Sequence, residues 1–248
     1  PYYLGYFCAG RGWWDADSRH VYCVYQESDG TNARVVKFDS DTGKGSVLFE
    51  EPLLEGQGYQ MIPATHAHAV SIPLPDSHEL IWYSERSGWP HLYLVDLTSG
   101  KVKNAITSGD WVIRNTLHFN PKTRELLIQT AGRESTPTGG SRNPYYSDIC
   151  RVNIDTGKLT PVISTDHEYV LLDQKSFFSF FCGAMNTNGV SSCGRYIVTT
   201  RSRVDQPPVS LLLDMKAIDE EPMRIEEADL SQLPTHWQWP EPIKALAA

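Results

Sequence analysis

Two histidines, two positions apart, come nearest to a metal-binding pattern in this sequence. His66 and His68 belong to the string Thr-His-Ala-His, and residues i and i+2 of a β-strand share one face. Two imidazoles on one face can bind Zn²⁺, but a zinc site takes at least three protein ligands. His78 and His91 stand on other predicted strands. We therefore predict no metal site, and structural or solvated histidines are the simplest interpretation.

Serine hydrolase chemistry needs a nucleophile held in a sharp turn of the type Gly-x-Ser-x-Gly. The 248 residues contain no such string, and the nearest stretch, PTGGSRNP, lacks the second glycine in register. A Ser/His/Asp triad assembled without this elbow has no chemical basis. The sequence therefore predicts no catalytic residue in this chain and implies no cofactor.

Paired carboxylates occur twice, in the strings FEEP (Phe49–Pro52) and DEEP (Asp219–Pro222). Each pair closes a strand-rich segment next to proline, so we interpret both as solvated turns. Glu85 and Arg86 in SERSGW are neighbours of opposite charge. We expect them to form an ion pair that stabilises a turn.

The composition excludes several classes of protein. A net charge of -8 argues against nucleic acid, which binds basic surfaces. No run approaches the roughly 18 apolar residues of a membrane span. Five cysteines without CxxC spacing do not form a disulfide framework. Cys182 and Cys193 flank a turn-rich segment and could pair, although buried free thiols are the simpler interpretation.

One turn pattern occurs three times. DTGK, TSGK and DTGK place turn glycines at Gly43, Gly100 and Gly157, and both spacings are 57 residues. Glycine between apolar runs supplies the positive φ that hairpin turns require. Before each turn lie two runs rich in Val, Ile, Tyr and Thr, which favour strands. The repeat therefore predicts successive antiparallel sheets.

The repeat defines the predicted fold class. It is all-β, a propeller fragment of about four four-stranded antiparallel blades. We expect blades at about 2–51, 59–107, 111–165 and 169–226, which together make a propeller region of residues 1–226. The first strands of the second and fourth blades are expected within 59–70 and 176–184. Arg224–Leu233 is predicted as a short acidic helix, and 227–248 as an exit helix and linker.

The string SERSGWPHLY, Ser84–Tyr93, carries a resemblance to a known family. Together with GDWVIRN and RNPYYSDICRVNIDTG it resembles the N-terminal propeller of dipeptidyl peptidase IV-type enzymes, in the prolyl oligopeptidase family. The likeness extends from about Asp15 to Ala245 and corresponds to the C-terminal half of that propeller. It implies a serine peptidase parent that removes N-terminal X-Pro or X-Ala dipeptides, with an α/β-hydrolase domain in cis.

The resemblance also implies roles for individual residues. His66 and His68 are expected to line the substrate cavity, and Trp237 and Trp239 to dock against the hydrolase domain. We also expect five tryptophans to pack between blades: Trp13, Trp14, Trp82, Trp89 and Trp111. The expected partners are a peptide substrate and, through exposed edge strands, a second copy of the chain.

A stand-alone propeller that binds proteins is the alternative function, since propellers host unrelated activities. The Pro-rich segment after Glu226 favours the peptidase interpretation because it leads away from the last blade. The sequence itself gives no compartment. The resemblance makes an exported or periplasmic parent an expectation.

Overall fold

The structure, a computed structural model, describes residues 2–3, 12–27, 33–51, 71–133, 142–171, 189–234 and 236–241. These residues form four antiparallel sheets that follow one another along the chain. A single-turn 3-10 helix at Pro75–Ser77 interrupts the strands. Among these residues, no helix has the length and apolar content that a membrane crossing requires.

Each sheet is a meander in chain order. Sheet 1 contains β1 (Tyr2–Tyr3), β2 (Gly12–Trp14), β3 (His20–Glu27), β4 (Ala33–Asp39) and β5 (Gly45–Glu50). It is four strands wide because β1 and β2 pair with different segments of the same edge of β3. Sheet 2 contains β6 (Ser71–Leu74), β7 (Glu79–Ser84), β8 (His91–Asp96) and β9 (Lys101–Ala105).

The other two sheets repeat this order. Sheet 3 contains β10 (Val112–Asn120), β11 (Glu125–Ala131), β12 (Ser147–Asn153) and β13 (Leu159–Ile163). Sheet 4 contains β14 (Glu168–Leu171), β15 (Tyr196–Arg203), β16 (Gln206–Asp214) and β17 (Met223–Glu227). The all-β class and the four four-stranded antiparallel sheets predicted from the sequence are confirmed.

The core lies between the sheets. Three clusters of buried side chains each join two consecutive sheets, so the sheets stack face to face. Trp82 and Leu80 pack against sheet 1, whereas Ile81 between them packs against sheet 3. In β11, Leu126 and Leu127 likewise point to sheets 2 and 4. The central strands of sheets 2 and 3 are therefore buried on both faces, which explains the apolar runs in β7, β8 and β11.

The glycine turns between third and fourth strands are confirmed. Gly43, Gly100 and Gly157 have φ values of 67°, 69° and 68°. Each glycine N–H donates to the carbonyl oxygen four residues earlier, at 2.8 to 2.9 Å. The side chain of that earlier residue accepts backbone N–H groups of the turn, and these residues are Asp39, Asp96 and Asn153. Hydrogen bonds within the turn therefore fix the same backbone conformation in all three turns.

The turns between first and second strands form a second repeat, in which a polar turn precedes a strand-rich run as the sequence indicates, and the structure adds a shared backbone conformation. The residue that ends each turn has a left-handed backbone, with φ between 52° and 71°. These residues are Ser18, His78, Arg124 and Gly194. Only one of them is glycine, so composition gave no common signal.

The predicted helix at Arg224–Leu233 is wrong. Met223–Glu227 forms β17, which pairs with β16 from Leu212 to Val209. A helix of ten residues is marginal in water without tertiary packing, whereas the free edge of β16 offers backbone partners. Residues 231–233 form a turn.

The predicted first strands of sheets 2 and 4 lie outside the described residues, at 59–70 and 176–184. Within the described ranges, β6 and β14 occupy the first position of sheets 2 and 4. The division between a propeller region of residues 1–226 and an exit segment of residues 227–248 stays a prediction.

We expect Gly43→Ala to lower the free energy of unfolding by about 1 kcal/mol, because an L-residue is strained at positive φ. Gly100→Ala should cost at least about 1 kcal/mol more, since its Cβ would lie 1.9 Å from the Leu48 carbonyl oxygen of sheet 1. Urea unfolding followed by circular dichroism measures both. Equal losses of unfolding free energy in the two variants would contradict the contact of Gly100 with Leu48 of sheet 1. No loss in either variant would contradict the assignment of the turns.

Candidate functional site

The two ends of the stacked sheets carry different chain segments. We call one end the connector end. There each fourth strand ends, and each second strand turns into the third. The described residues at this end are Glu51, 85–90, 106–111, 164–167 and 204–205. The turns described above lie at the opposite, turn end. Because β17 also finishes at the connector end, the chain leaves the sheets on that side.

Glu51 joins sheet 1 to sheet 2 at the connector end. It is only 8% exposed and accepts hydrogen bonds from Trp82 Nε1 at 2.7 Å and Arg86 Nη2 at 2.6 Å. The Ser84 hydroxyl donates to its other oxygen. The interpretation of Glu51 as a solvated turn residue is therefore wrong, because sheet 2 covers it. Glu50, its neighbour, is exposed and pairs with Arg34.

Arg86 pairs across the sheets rather than with its neighbour. Its carboxylate partner is Glu51, so the predicted pair between Glu85 and Arg86 is wrong. The Arg86 guanidinium also lies 5.4 Å from the Phe49 ring centroid and 4.8 Å from that of Tyr93. A planar cation fits this position because it can donate to a carboxylate while contacting aromatic faces.

His91 supports the connector between sheets 2 and 3. Its ring nitrogens lie 3.0 Å from Thr107 Oγ1 and 2.8 Å from the Gly109 carbonyl oxygen, and its ring meets Trp111 edge to face at 4.7 Å. Burial lowers the pKa of His91, although the hydrogen bond to Gly109 opposes this. The motif Ser84–Tyr93 thus supplies residues that hold sheets together.

Sheets 3 and 4 are joined by a comparable polar network. Gln129 Nε2 donates to the Tyr169 carbonyl oxygen at 2.8 Å, and Arg114 lies 2.9 Å from Glu168. The Ser147 N–H donates to the second Glu168 oxygen at 2.9 Å. Burial raises the pKa of Glu168 despite the nearby Arg114 charge.

The turn end carries inter-sheet ion pairs. Glu79 of sheet 2 accepts hydrogen bonds from Lys103 and, at 2.8 Å, from Arg124 of sheet 3. Burial alone would raise the pKa of Glu79, but hydrogen bonds from Lys103, Ser77 and Arg124 outweigh it, so the pKa is lowered. Both ends of the sheets are thus held by charged groups around a dry core.

One group of metal-ligand residues occurs among the described residues. Asp15, Asp17 and His20 place their ligand atoms within 4.8 Å of one another. Asp15 also accepts the Tyr22 hydroxyl at 3.1 Å and lies 3.0 Å from His78 of sheet 2. These groups are already used in hydrogen bonds, which favours a role in stabilising the turn over one in metal binding.

The tryptophans divide into buried and exposed positions. Trp82 and Trp111 are buried between sheets, and Trp13 stacks on Tyr22 with ring centroids 5.4 Å apart. The prediction of packing between blades is confirmed for Trp82 and Trp111, whereas the ring partner of Trp13 is Tyr22 of the same sheet. It is wrong for Trp14 and Trp89, which are 56% and 41% exposed. Trp14 ends β2, and Trp89 lies in the loop between β7 and β8.

The connector end presents exposed apolar side chains on three consecutive sheets. Trp89, Tyr145 and Val204 lie in the loops between second and third strands and are 41%, 76% and 53% exposed. We call these three residues the loop patch.

The residues predicted to carry function fall in two places. His66 and His68 lie outside the described residues. Trp237 and Trp239 are 48% and 36% exposed, and their rings meet edge to face at 6.1 Å. Their role in docking stays a prediction. The pairing of Cys182 with Cys193, which the sequence left open, is not formed, since Cys193 is a free thiol; that thiol is exposed, not buried as the simpler interpretation had it.

Stacked, four-stranded antiparallel sheets with their cores between them define a β-propeller fragment. Within that class, the chain belongs to the family described as the dipeptidyl peptidase IV (DPP IV) N-terminal region, whose model matches residues 7–207. The predicted family is confirmed.

A solved structure gives an independent comparison. The chain is similar to a candidate dipeptidyl aminopeptidase IV from Bacteroides ovatus ATCC 8483, with a TM-score of 0.61 and 20% sequence identity. The match covers 88% of this chain and 29% of that chain. At this identity the likeness supports the fold, and the chain spans less than a third of that protein.

We expect Glu51→Gln to lower the free energy of unfolding by about 2 kcal/mol or more, because a neutral amide leaves the Arg86 charge without its partner. Glu50→Gln is the matched control and should cost less than about 1 kcal/mol, since it removes an exposed pair. Thermal and urea unfolding of both variants measure the difference. Equal effects would contradict the role of Glu51 between the sheets.

Proposed function

We propose that this chain is the non-catalytic propeller portion of a dipeptidyl peptidase IV-like serine exopeptidase. The parent enzyme removes X-Pro or X-Ala dipeptides from peptide N-termini by acyl transfer on an α/β-hydrolase domain in cis. The family match over residues 7–207 carries this proposal. The overlap with less than a third of a candidate dipeptidyl aminopeptidase IV supports it.

The geometry of the connector end supports a partner domain on that side. The chain leaves sheet 4 there, and the loop patch lies on the same end. Trp237 and Trp239 follow within about 15 residues and expose two large rings. We propose that both tryptophans pack against the hydrolase domain, because the exposed part of each ring gains free energy by burial.

The propeller's contribution to peptidase activity is selection of substrate. It covers the active site of the parent and admits only peptide chains narrow enough to enter. His66 and His68 remain our proposed lining residues of this cavity. A homodimer of the parent, formed on exposed sheet edges, belongs to the same proposal.

The assignment is tested on the intact gene product and on this chain by itself. The intact product should release chromophore from Gly-Pro and Ala-Pro substrates and lose this activity to a serine-directed covalent inhibitor. The chain alone should release none, because its sequence has no nucleophile elbow. An inactive but folded intact product would contradict the proposed function, and inhibitor-sensitive activity of the isolated chain would contradict the non-catalytic role.

Changing both Trp237 and Trp239 to Ala in the intact enzyme should lower turnover and leave the β-sheet signal unchanged. The change to alanine removes the aromatic surface that we expect to hold the two domains together, while the cores between sheets stay intact. Trp14→Ala is the matched control, since Trp14 is also exposed but lies at the turn end. Full activity of the double variant would mean that the exit segment only tethers the domains. Loss of the circular dichroism signal would place both rings in the propeller core.

The alternative is a stand-alone propeller that binds other proteins, and the loop patch is the observation that favours it. The coding sequence distinguishes the two functions. Continuation beyond Ala248 into a Gly-x-Ser-x-Gly hydrolase domain supports the peptidase, whereas a stop codon supports the binding module.

A further inference from the structure

Arg201 lies on the face of sheet 4 that packs against sheet 3. It is directly opposite Tyr169 of β14 and Val209 of β16, and residues directly opposite one another in neighbouring strands share a face. Tyr169 and Val209 are buried in the cluster that joins the two sheets. The half-buried Arg201 therefore places a positive charge next to an apolar core.

Arg201 has no carboxylate partner within the described ranges. Arg203, two residues further along β15, pairs with Asp205 at 2.8 Å. A charge that is partly removed from water is costly unless an opposite charge or hydrogen bonds compensate for the lost solvation. Arg201 is therefore suited to bind an anion from solution.

A cavity of about 210 Å³ lies beside Arg201 at the connector end of sheet 4. Its other lining residues are mostly polar: His167, Ser202, Gln206, Pro207, Val209, Arg224 and Glu227. Glu227 pairs with Arg224, so the only carboxylate among these lining residues is already neutralised. A lining with two arginines, one carboxylate and several neutral hydrogen-bonding groups suits an oxyanion.

His167 faces this cavity from the segment that precedes β14. Its Nε2 lies 3.2 Å from Gln206 Oε1. A carboxamide oxygen only accepts hydrogen bonds, so His167 donates in this contact and the NH2 group of Gln206 is left as a donor. The cavity thus combines a guanidinium, an imidazole and an amide donor.

The charge of His167 responds to the groups around it. Burial lowers the pKa of His167, and the charges of Arg201 and Arg203 lower it further, while the hydrogen bond to Gln206 and the Asp166 carboxylate oppose this. The Asp205 carboxylate also interacts with the ring. An anion bound beside Arg201 would offset the arginine charges and raise the pKa of His167.

We propose that Arg201 and His167 bind a small oxyanion in this cavity, of the phosphate, sulfate or carboxylate type. Arg201 donates two parallel hydrogen bonds to oxygens of the anion, as a planar guanidinium does to carboxylates and phosphates. Ser202 and Gln206 add neutral donors. This inference does not rest on the proposed peptidase role.

The probes are sodium sulfate and sodium acetate, each titrated into the folded chain by isothermal calorimetry at constant ionic strength. Both anions stay ionised near neutral pH, so the pH dependence of binding reports on the protein. We expect saturable binding in the millimolar range. Tighter sulfate binding assigns the site to phosphate-type anions, and tighter acetate binding assigns it to carboxylates. No saturable binding of either anion would overturn the proposal.

Variants locate the site. Arg201→Gln should weaken binding of the tighter anion at least about tenfold. Arg151→Gln is the matched control, because Arg151 of β12 is also half-buried and unpaired among the described residues but does not line the cavity. Unchanged binding in a folded Arg201→Gln variant, or an equal loss in Arg151→Gln, would contradict the proposed site.

The pKa of His167 tests the site in the unaltered chain, so the proposal stays testable even if Arg201→Gln unfolds. NMR titration of the His167 ring should give a higher pKa with the saturating anion than without it, and binding should therefore tighten as the pH falls through this pKa. His91 is the internal control, since its ring packs on Trp111 between sheets 2 and 3. An unchanged pKa of His167, or an equal shift in His91, would overturn the proposal.

Discussion

The structure depends on the burial of apolar side chains between neighbouring sheets. Backbone hydrogen bonds hold each sheet together, but the pairings between strands end at the sheet edges. Cohesion from sheet to sheet therefore comes from side chains, chiefly Leu, Ile and Val. Apolar contact is not directional, so it stabilises the stack without fixing how far one sheet slides or rotates against the next.

Directional contacts at the two ends supply that alignment. Glu51 receives three donors from sheet 2, and Glu79 receives donors from sheets 2 and 3. A charge removed from water is stable only when its partners have good geometry. Each buried carboxylate thus tolerates few arrangements of the adjacent sheet. Arg86 and Arg124 each pair with a carboxylate of the neighbouring sheet and also contact a residue of their own sheet. These two contacts fix the position of each guanidinium.

This construction leaves the ends and edges of the sheets available for binding. The loops between second and third strands carry exposed groups such as Trp89 and Tyr145, whereas the cores also take in residues of other connections, such as Trp111. Among the described strands, β13 pairs only with β12 and β17 only with β16, so each is an edge strand. Surfaces of this kind let one scaffold take different partners.

The sequence by itself determined the local features of the protein. The four meanders, the all-β class and the turns at Gly43, Gly100 and Gly157 follow from residue preferences and hydrogen bonds within a few positions. The family could also be predicted, because strings such as Ser84–Tyr93 preserve the residues that join one sheet to the next. The predicted helix at Arg224–Leu233 failed because a free strand edge outweighed a weak helical preference.

Tertiary structure alone decided which side chains meet. Glu50 and Glu51 are adjacent and chemically identical, yet only Glu51 is covered by sheet 2. Trp82 and Trp89 are seven residues apart, and one is buried while the other is exposed. Burial and charge pairing depend on the face and end that a neighbouring sheet covers, and no local pattern encodes that neighbour.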